Sequence, residues 1–235
     1  MGNLAKVSER SSGLKLLCGT LLALAIAPSS LHAHDAATPS DTAGPPCCYM
    51  PKGTYSTDTE IDERERRFVT SVLILMQEDN IAENRSDERI VRCLFIPSFG
   101  RPAMVRTTLT SVSAVTMFKQ LSGNGGFELG QLALAKSGTL SAKESSQLEK
   151  LLAPLPLDGL GRTGGGPAEY LDHDLLVLEV LADARYHVRF EELPNDHGNG
   201  ADLRRFCAKA MMMTAKLSTK STVIKKLLDG VALQE

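Results

Sequence analysis

The stretch that most constrains this chain is 174–193, two strand-forming runs joined by only Asp183-Ala184. Asp174 to Leu181 is apolar on both faces, as a central strand requires, and Arg185 to Leu193 alternates. A two-residue connection implies an antiparallel hairpin with a defined register. Residues whose numbers sum to 367 then face each other: Leu181 with Tyr186, Glu179 with Val188, Val177 with Phe190. Ala184 is poorer than glycine at a turn position that wants positive φ. The rest of the chain has to fit around this hairpin.

Upstream, Ile90 to Pro97, Ala103 to Thr110 and Ser113 to Leu121 are rich in strand formers and separated by short turns, including Ser98-Phe99-Gly100-Arg101-Pro102. Such spacing predicts an antiparallel meander, with Gln131 to Thr139 as a fourth strand. Ile61, Phe68, Val69, Val72, Leu73 and Met76 recur at helical spacing, predicting a helix from Glu60 to about Glu83. Its charged opening, Glu60 to Arg67, mixes signs at i,i+4 spacing and reads as a solvated face. Ser141 with Glu144 forms a capping box for a helix over Ala142 to Leu152, which Pro154 stops. The Gly/Pro-rich stretch from Pro154 to Pro167 reads as a loop. A last helix spans Asp202 to Leu217, and Val223 to Leu233 reads as a short amphipathic helix. The expected fold is α+β, a single antiparallel sheet of about five to six strands with helices packed on one face, the other face open or grooved. The expected organisation is residues 1–33 as a signal peptide, 34–59 as a flexible segment, 60–217 as the domain and 218–235 as a tail or short helix.

The leader places the domain outside the cytosol. Lys6, Arg10 and Lys15 precede the apolar run Leu16 to Ala27, then Pro28-Ser29-Ser30 and a cleavage point after Ala33. Leu31 is larger than the residue preferred at its place, so cleavage after Ser29 is the alternative. Leu17 before Cys18 disfavours a lipid anchor. A span needs about 20 apolar residues, and no later run is long enough, so no stable transmembrane segment is expected after cleavage. The expected location is periplasmic or secreted. There an even count of cysteines invites disulfides, and Cys47, Cys48, Cys93 and Cys207 remain. Adjacent Cys47 and Cys48 would strain a mutual bridge, which favours tying that pair to Cys93 and Cys207. Free buried thiols are the alternative for the last two.

Composition narrows the partners. Removing Lys6, Arg10, Lys15 and Glu9 from 26 basic and 28 acidic residues leaves 23 and 27, a net charge near −4. Such a surface does not attract phosphate backbones, so nucleic acid is not an expected partner. With no Trp and only 4 Tyr, aromatic platforms for sugars or quaternary ammonium ions are disfavoured. Gly123 to Gly126 and Gly164 to Gly166 lack the following Lys-Ser/Thr of a phosphate loop, and no G-x-S-x-G elbow occurs. No motif calls for a cofactor.

Three groups of residues carry candidate chemistry. The hairpin register puts Glu179 on an apolar face between Tyr186 and Phe190, where a carboxylate must be paired, hydrogen-bonded or protonated. It is either half of an ion pair, with Arg106 as one partner, or a general acid working with His187 or Arg106. His173, His187 and His197 share a segment with Asp172, Asp174 and Asp196, but without H-x-x-x-H spacing they read as loop and surface residues. His34 becomes the amino terminus after cleavage at Ala33 and is a candidate copper ligand through its amine and ring. Met211-Met212-Met213 point in different directions on a helix and read as packing.

From about Cys93 to Leu217 the chain resembles a set of uncharacterised exported proteins of Gram-negative bacteria. The shared features are Ser98-Phe99-x-Arg101-Pro102 followed by Val105-Arg106, then the Gly125-Gly126-Phe127 loop. They continue through Asp174, Glu179, Tyr186-His187, Pro194 and the Leu203-x-x-x-Cys207 helix. Leu176 stands where a Trp is typical, and Ala184 where a turn Gly is usual. The resemblance implies fold and compartment and carries no activity. The expected function is a non-catalytic envelope accessory module binding a protein or a small ligand on its sheet face. The alternatives are a small hydrolase-like enzyme using Glu179, or a copper-binding protein using His34.

Overall fold

The computed structural model describes residues 48–84, 88–110, 113–125, 128–155, 157, 161–162, 174–193 and 200–229. The leader, His34, Cys47, Gly126, Phe127, Gly164 to Gly166, Asp172, His173, Asp196 and His197 lie outside them. In chain order come α1 (Thr59–Leu75), a 3-10 turn (Ile81–Glu83), β1 (Arg89–Ile96), β2 (Ala103–Leu109), β3 (Ala114–Leu121) and β4 (Leu132–Leu140). They are followed by α2 (Ala142–Leu152), β5 (Gly161–Arg162), β6 (Asp174–Ala182), β7 (Arg185–Leu193), α3 (Gly200–Ala215) and α4 (Thr222–Leu227).

The strands form one sheet in the order β4-β3-β2-β1-β6-β7-β5. Six of them are antiparallel, and the two-residue β5 adds in parallel to β7. The α+β architecture with an antiparallel sheet is therefore the one expected from the strand pattern. The β6–β7 register is also as expected, with Leu181 opposite Tyr186, Glu179 opposite Val188 and Val177 opposite Phe190. Asp183 and Ala184 have φ of 51° and 57°, the left-handed pair that matches a two-residue turn to strand twist.

The helices pack against the sheet as expected, α2, α3 and α4 on one face, and α1 in addition covers the other. On one side Cys93, Phe95, Phe118, Leu176 and Leu178 pack with Leu148 and Leu152 of α2, Phe206 and Met211 of α3, and Ile224 and Leu227 of α4. On the other, Leu94, Ile96, Met104, Val177 and Phe190 pack with Val69, Val72, Leu73 and Met76 of α1. The reason is visible in the strands: β1 and β6 carry apolar residues at both odd and even positions, and each side needs a cover. Burying one such side chain is worth about 1.5–3 kcal/mol, so neither face stays open. Among the described residues both faces are covered at the centre of the sheet.

Three local readings are corrected. First, α1 ends at Leu75 rather than near Glu83, because Gln77 turns left-handed at φ 56°. Its amide and that of Glu78 cap the Ile74 and Leu73 carbonyls at 2.8 and 2.9 Å. Second, the charged opening of α1 is not all solvated. Asp62 and Arg66 are 3% and 6% exposed, their ion pair closes at 2.7 Å, and only Glu63–Arg67 and Arg64–Glu65 lie outside. Third, residues 48–58 are docked. Asp62 accepts from the amides of Gly53 and Tyr55, both at 2.9 Å, and Met50 and Tyr55 are buried against the sheet. Burial alone would raise the Asp62 carboxyl, but those amides and the Arg66 guanidinium outweigh it and hold its pKa below the usual range. The short helix read in the C-terminal segment is present as α4, and it packs into the core through Val223, Ile224 and Leu227. The α2 capping box is present as read, with Ser141 and Glu144 exchanging bonds.

Cys93 and Cys207 are bonded to each other, their Cα atoms 5.7 Å apart, and so tie β1 to α3. That overturns both the link to Cys47 and Cys48 and the free-thiol alternative, because Cys93 faces the same side of the sheet that α3 covers. Among the described residues no helix is long and apolar enough to cross a membrane.

Two stability predictions follow from these features. Replacing both Cys93 and Cys207 by Ser removes a cross-link spanning 114 residues and is expected to cost about 2–4 kcal/mol, read as a lower melting temperature. Ala184→Gly relieves a left-handed alanine and is expected to add up to about 1 kcal/mol in urea denaturation.

Candidate functional site

Polar chemistry concentrates in two places, a buried charge network under α1 and a groove on the opposite side. The network grows from strand periodicity. Arg92 on β1, Arg106 on β2, Lys119 on β3, Glu179 on β6 and Tyr186 on β7 all point to the face covered by α1. Glu78 joins them from the segment after α1, brought there by the left-handed turn at Gln77.

Arg92 and Glu179 are direct cross-strand partners, both fully buried. The guanidinium meets the carboxylate through two bonds, Nε to Oε2 at 2.6 Å and Nη2 to Oε1 at 2.8 Å. Tyr186 donates its hydroxyl to Oε1 at 2.8 Å. Arg92 Nη1 reaches the Asp79 carbonyl at 2.8 Å and Glu78 Oε2 at 3.5 Å. Glu78 in turn receives Arg106 Nη1 at 3.0 Å and Lys119 Nζ at 2.6 Å. Lys119 also donates to the Gln77 carbonyl at 2.8 Å.

Burial opposes the charge on Arg92, but the Glu179 carboxylate outweighs it and raises the guanidinium pKa above its ordinary value. Burial, reinforced by the negative Glu179, pushes both Tyr186 and Tyr55 well above the ordinary phenol value. Arg106, with 27% of its side chain exposed, is the network's opening to solvent.

This geometry answers the roles read for Glu179. It is half of an ion pair, and its partner is Arg92 instead of Arg106, which belongs to Glu78. Both Glu179 oxygens are held, so the carboxylate is fixed as an acceptor. His187 lies across the sheet from it, with Nδ1 2.8 Å from the Leu157 carbonyl, so the sheet itself separates the two. Arg92, Glu78 and Lys119 escaped the sequence reading. The available signal was Arg92 itself, a charge inside the apolar run Ile90 to Pro97.

Elsewhere on β7 a second buried pair, Arg189 and Glu191, closes at 2.7 Å. It lies under Gly200, where a Cβ would fall 2.5 Å from Glu191 Oε2. Among the described residues no three His, Cys, Asp or Glu side chains converge as for a metal. Asp174 instead receives the Ser98 amide at 2.7 Å and hydroxyl at 3.1 Å. The three methionines are one buried and two half-buried residues of α3.

The groove, of about 400 Å³, lies where β1 and β3 end beside α4. Phe95, Pro97 and Val223 give it apolar surface, and Arg101, Gln120, Asn124, Ser221, Thr222 and Lys226 give it polar groups. Its wall is the 97–102 loop, held from three directions. Asp174 fixes Ser98, and Lys226 of α4 donates to the Phe99 carbonyl. Gly125, at φ +104°, lies so near the loop that a Cβ would fall 1.9 Å from the Ser98 oxygen. The Ser-Phe-x-Arg-Pro loop and Gly125, both singled out in the sequence, thus meet beside one cleft.

Removing Glu179 as Glu179→Ala leaves Arg92 buried without its main partner and is expected to cost about 3–5 kcal/mol. The double change Arg92→Met with Glu179→Leu should recover most of that loss, as urea denaturation will report. The two tyrosines bind their protons more tightly folded than unfolded. They therefore add stability that is full below about pH 10 and fades as pH rises through the raised values.

No protein-family model, curated protein or solved structure matches this chain.

Proposed function

We propose that this chain is a non-catalytic binding module of the cell envelope, exported behind its leader, that takes a small ligand in the groove between the 97–102 loop and α4. The observation that carries this reading is the pinned loop: Asp174, Lys226 and the close approach of Gly125 hold it from within the chain. A cleft fixed beforehand loses little on binding, which is what a recognition site needs. Its volume of about 400 Å³ falls within the range of small-molecule sites. The Cys93–Cys207 bond supports the exported setting, because such bonds persist in oxidising compartments. The resemblance to exported Gram-negative proteins points the same way.

The groove replaces the sheet face as the recognition surface, since helices cover both sides of the sheet. The network around Glu179 contributes structure in this reading, its charges satisfying one another under α1.

The test is a thermal-shift screen of small metabolites against leader-free, oxidised protein recovered from the envelope. At least one compound should raise the melting temperature, approaching about 2.7 kcal/mol of added stability at a hundredfold excess over Kd. The groove-filling variant Thr222→Trp should abolish the shift. A screen without any shift, or a shift that survives Thr222→Trp, would overturn the assignment.

A further inference from the structure

Resting on the groove as the recognition site, we propose that its ligand is a small amphiphilic oxyanion, a carboxylate or phosphate group on a short apolar body, with Arg101 as the anchor. The polar lining carries two cations, Arg101 and Lys226, and no carboxylate. Lys226 is already committed to the Phe99 carbonyl and lies 3.7 Å from Asp174. Arg101 is exposed at the mouth, and among the described residues no acidic group pairs with it. An excess cation in a concave wall, on a chain of net charge −2, creates a local positive field against the trend of the whole surface.

The form of the charge matters. A guanidinium presents a planar fork that meets two oxygens of one oxyanion at once, whereas an ammonium offers a single point of charge. Around it the amides of Gln120 and Asn124 and the hydroxyls of Ser221 and Thr222 supply further donors. Hydrocarbon backs these groups: Pro97 and Val223 line the groove, and Phe95, fully buried, belongs to the core behind it. Such a surface asks for an apolar body next to the charged end. A polyanion is a poor fit, because tight binding to one needs several cations that each release counterions, and here a single one is uncommitted.

The groove also couples the ligand to the end of the fold. Lys226 and Val223 belong to α4, and Lys226 pins the same loop that carries Arg101. Occupancy should therefore be felt at Thr222 and Val223 as well as at Gly100.

The experiment is an amide-resolved NMR titration of the full secreted chain with hexanoate, hexyl phosphate and hexanol. Saturable shifts at Gly100, Asn124 and Thr222 with either anion are expected, and hexanol should move them far less. Arg101→Gln, a change at an exposed position, should weaken the anion at least tenfold. A response to hexanoate alone or to hexyl phosphate alone supports the proposal and identifies the group. Equal shifts from hexanol and hexanoate, indifferent to Arg101→Gln, would overturn the oxyanion while leaving the groove as a site for neutral molecules. Silence at these amides with all three probes would overturn the ligand class and count against the groove together.

Discussion

The pair of Arg92 and Glu179 sits where the two halves of the sheet join. Hairpin turns set every antiparallel contact on either side, β1 through β4 in one meander and β6 with β7 in the other. Among these antiparallel pairs only the β1–β6 seam lacks a short connection, since β2, β3, β4, α2 and the short β5 separate its strands in sequence. A slip of one residue along that seam would send Arg92 or Glu179 to the face covered by α3 and strand a charge in hydrocarbon. The bidentate bond therefore penalises wrong registers more than it strengthens the right one. Cys93, the next residue, then meets Cys207 only if the seam is in place.

What the sequence made legible was local, and what it hid was assembled at a distance. The Asp183-Ala184 turn set the β6–β7 register because two residues leave one way back. The Ser141 and Glu144 box placed the start of α2 because it is a contact within four residues. Glu179 was recognised as needing a partner, but Arg92 lies 87 residues away and no turn relates them. Asp62 and Arg66 looked solvated because their i,i+4 spacing is that of a surface pair. Their burial comes from Met50 to Tyr55 lying over them, a segment whose composition resembles a linker. Gln77 gave no sign of ending α1, since glutamine seldom takes a left-handed conformation.

The two faces of the sheet divide the labour. Under α1 the charges are paired inward and serve the register of the strands. On the α3 and α4 side, groups from three distant parts of the chain meet around a cleft where, among the described residues, Arg101 pairs with no acidic group. The Ser98 to Pro102 loop and Gly125 fall on this second side. Their types follow from the geometry, since Gly100 and Gly125 both adopt positive φ and Gly125 touches the neighbouring backbone.

The bridge between β1 and α3 also imposes an order of events on a newly made chain. Cys207 is synthesised 114 residues after Cys93, an interval of roughly 6–23 s at ribosomal speeds of about 5–20 residues per second. Throughout that wait the thiols already made are those upstream, Cys47 and Cys48 among them. Any partnership Cys93 forms with them must be undone by thiol–disulfide exchange before β1 can be fastened to α3.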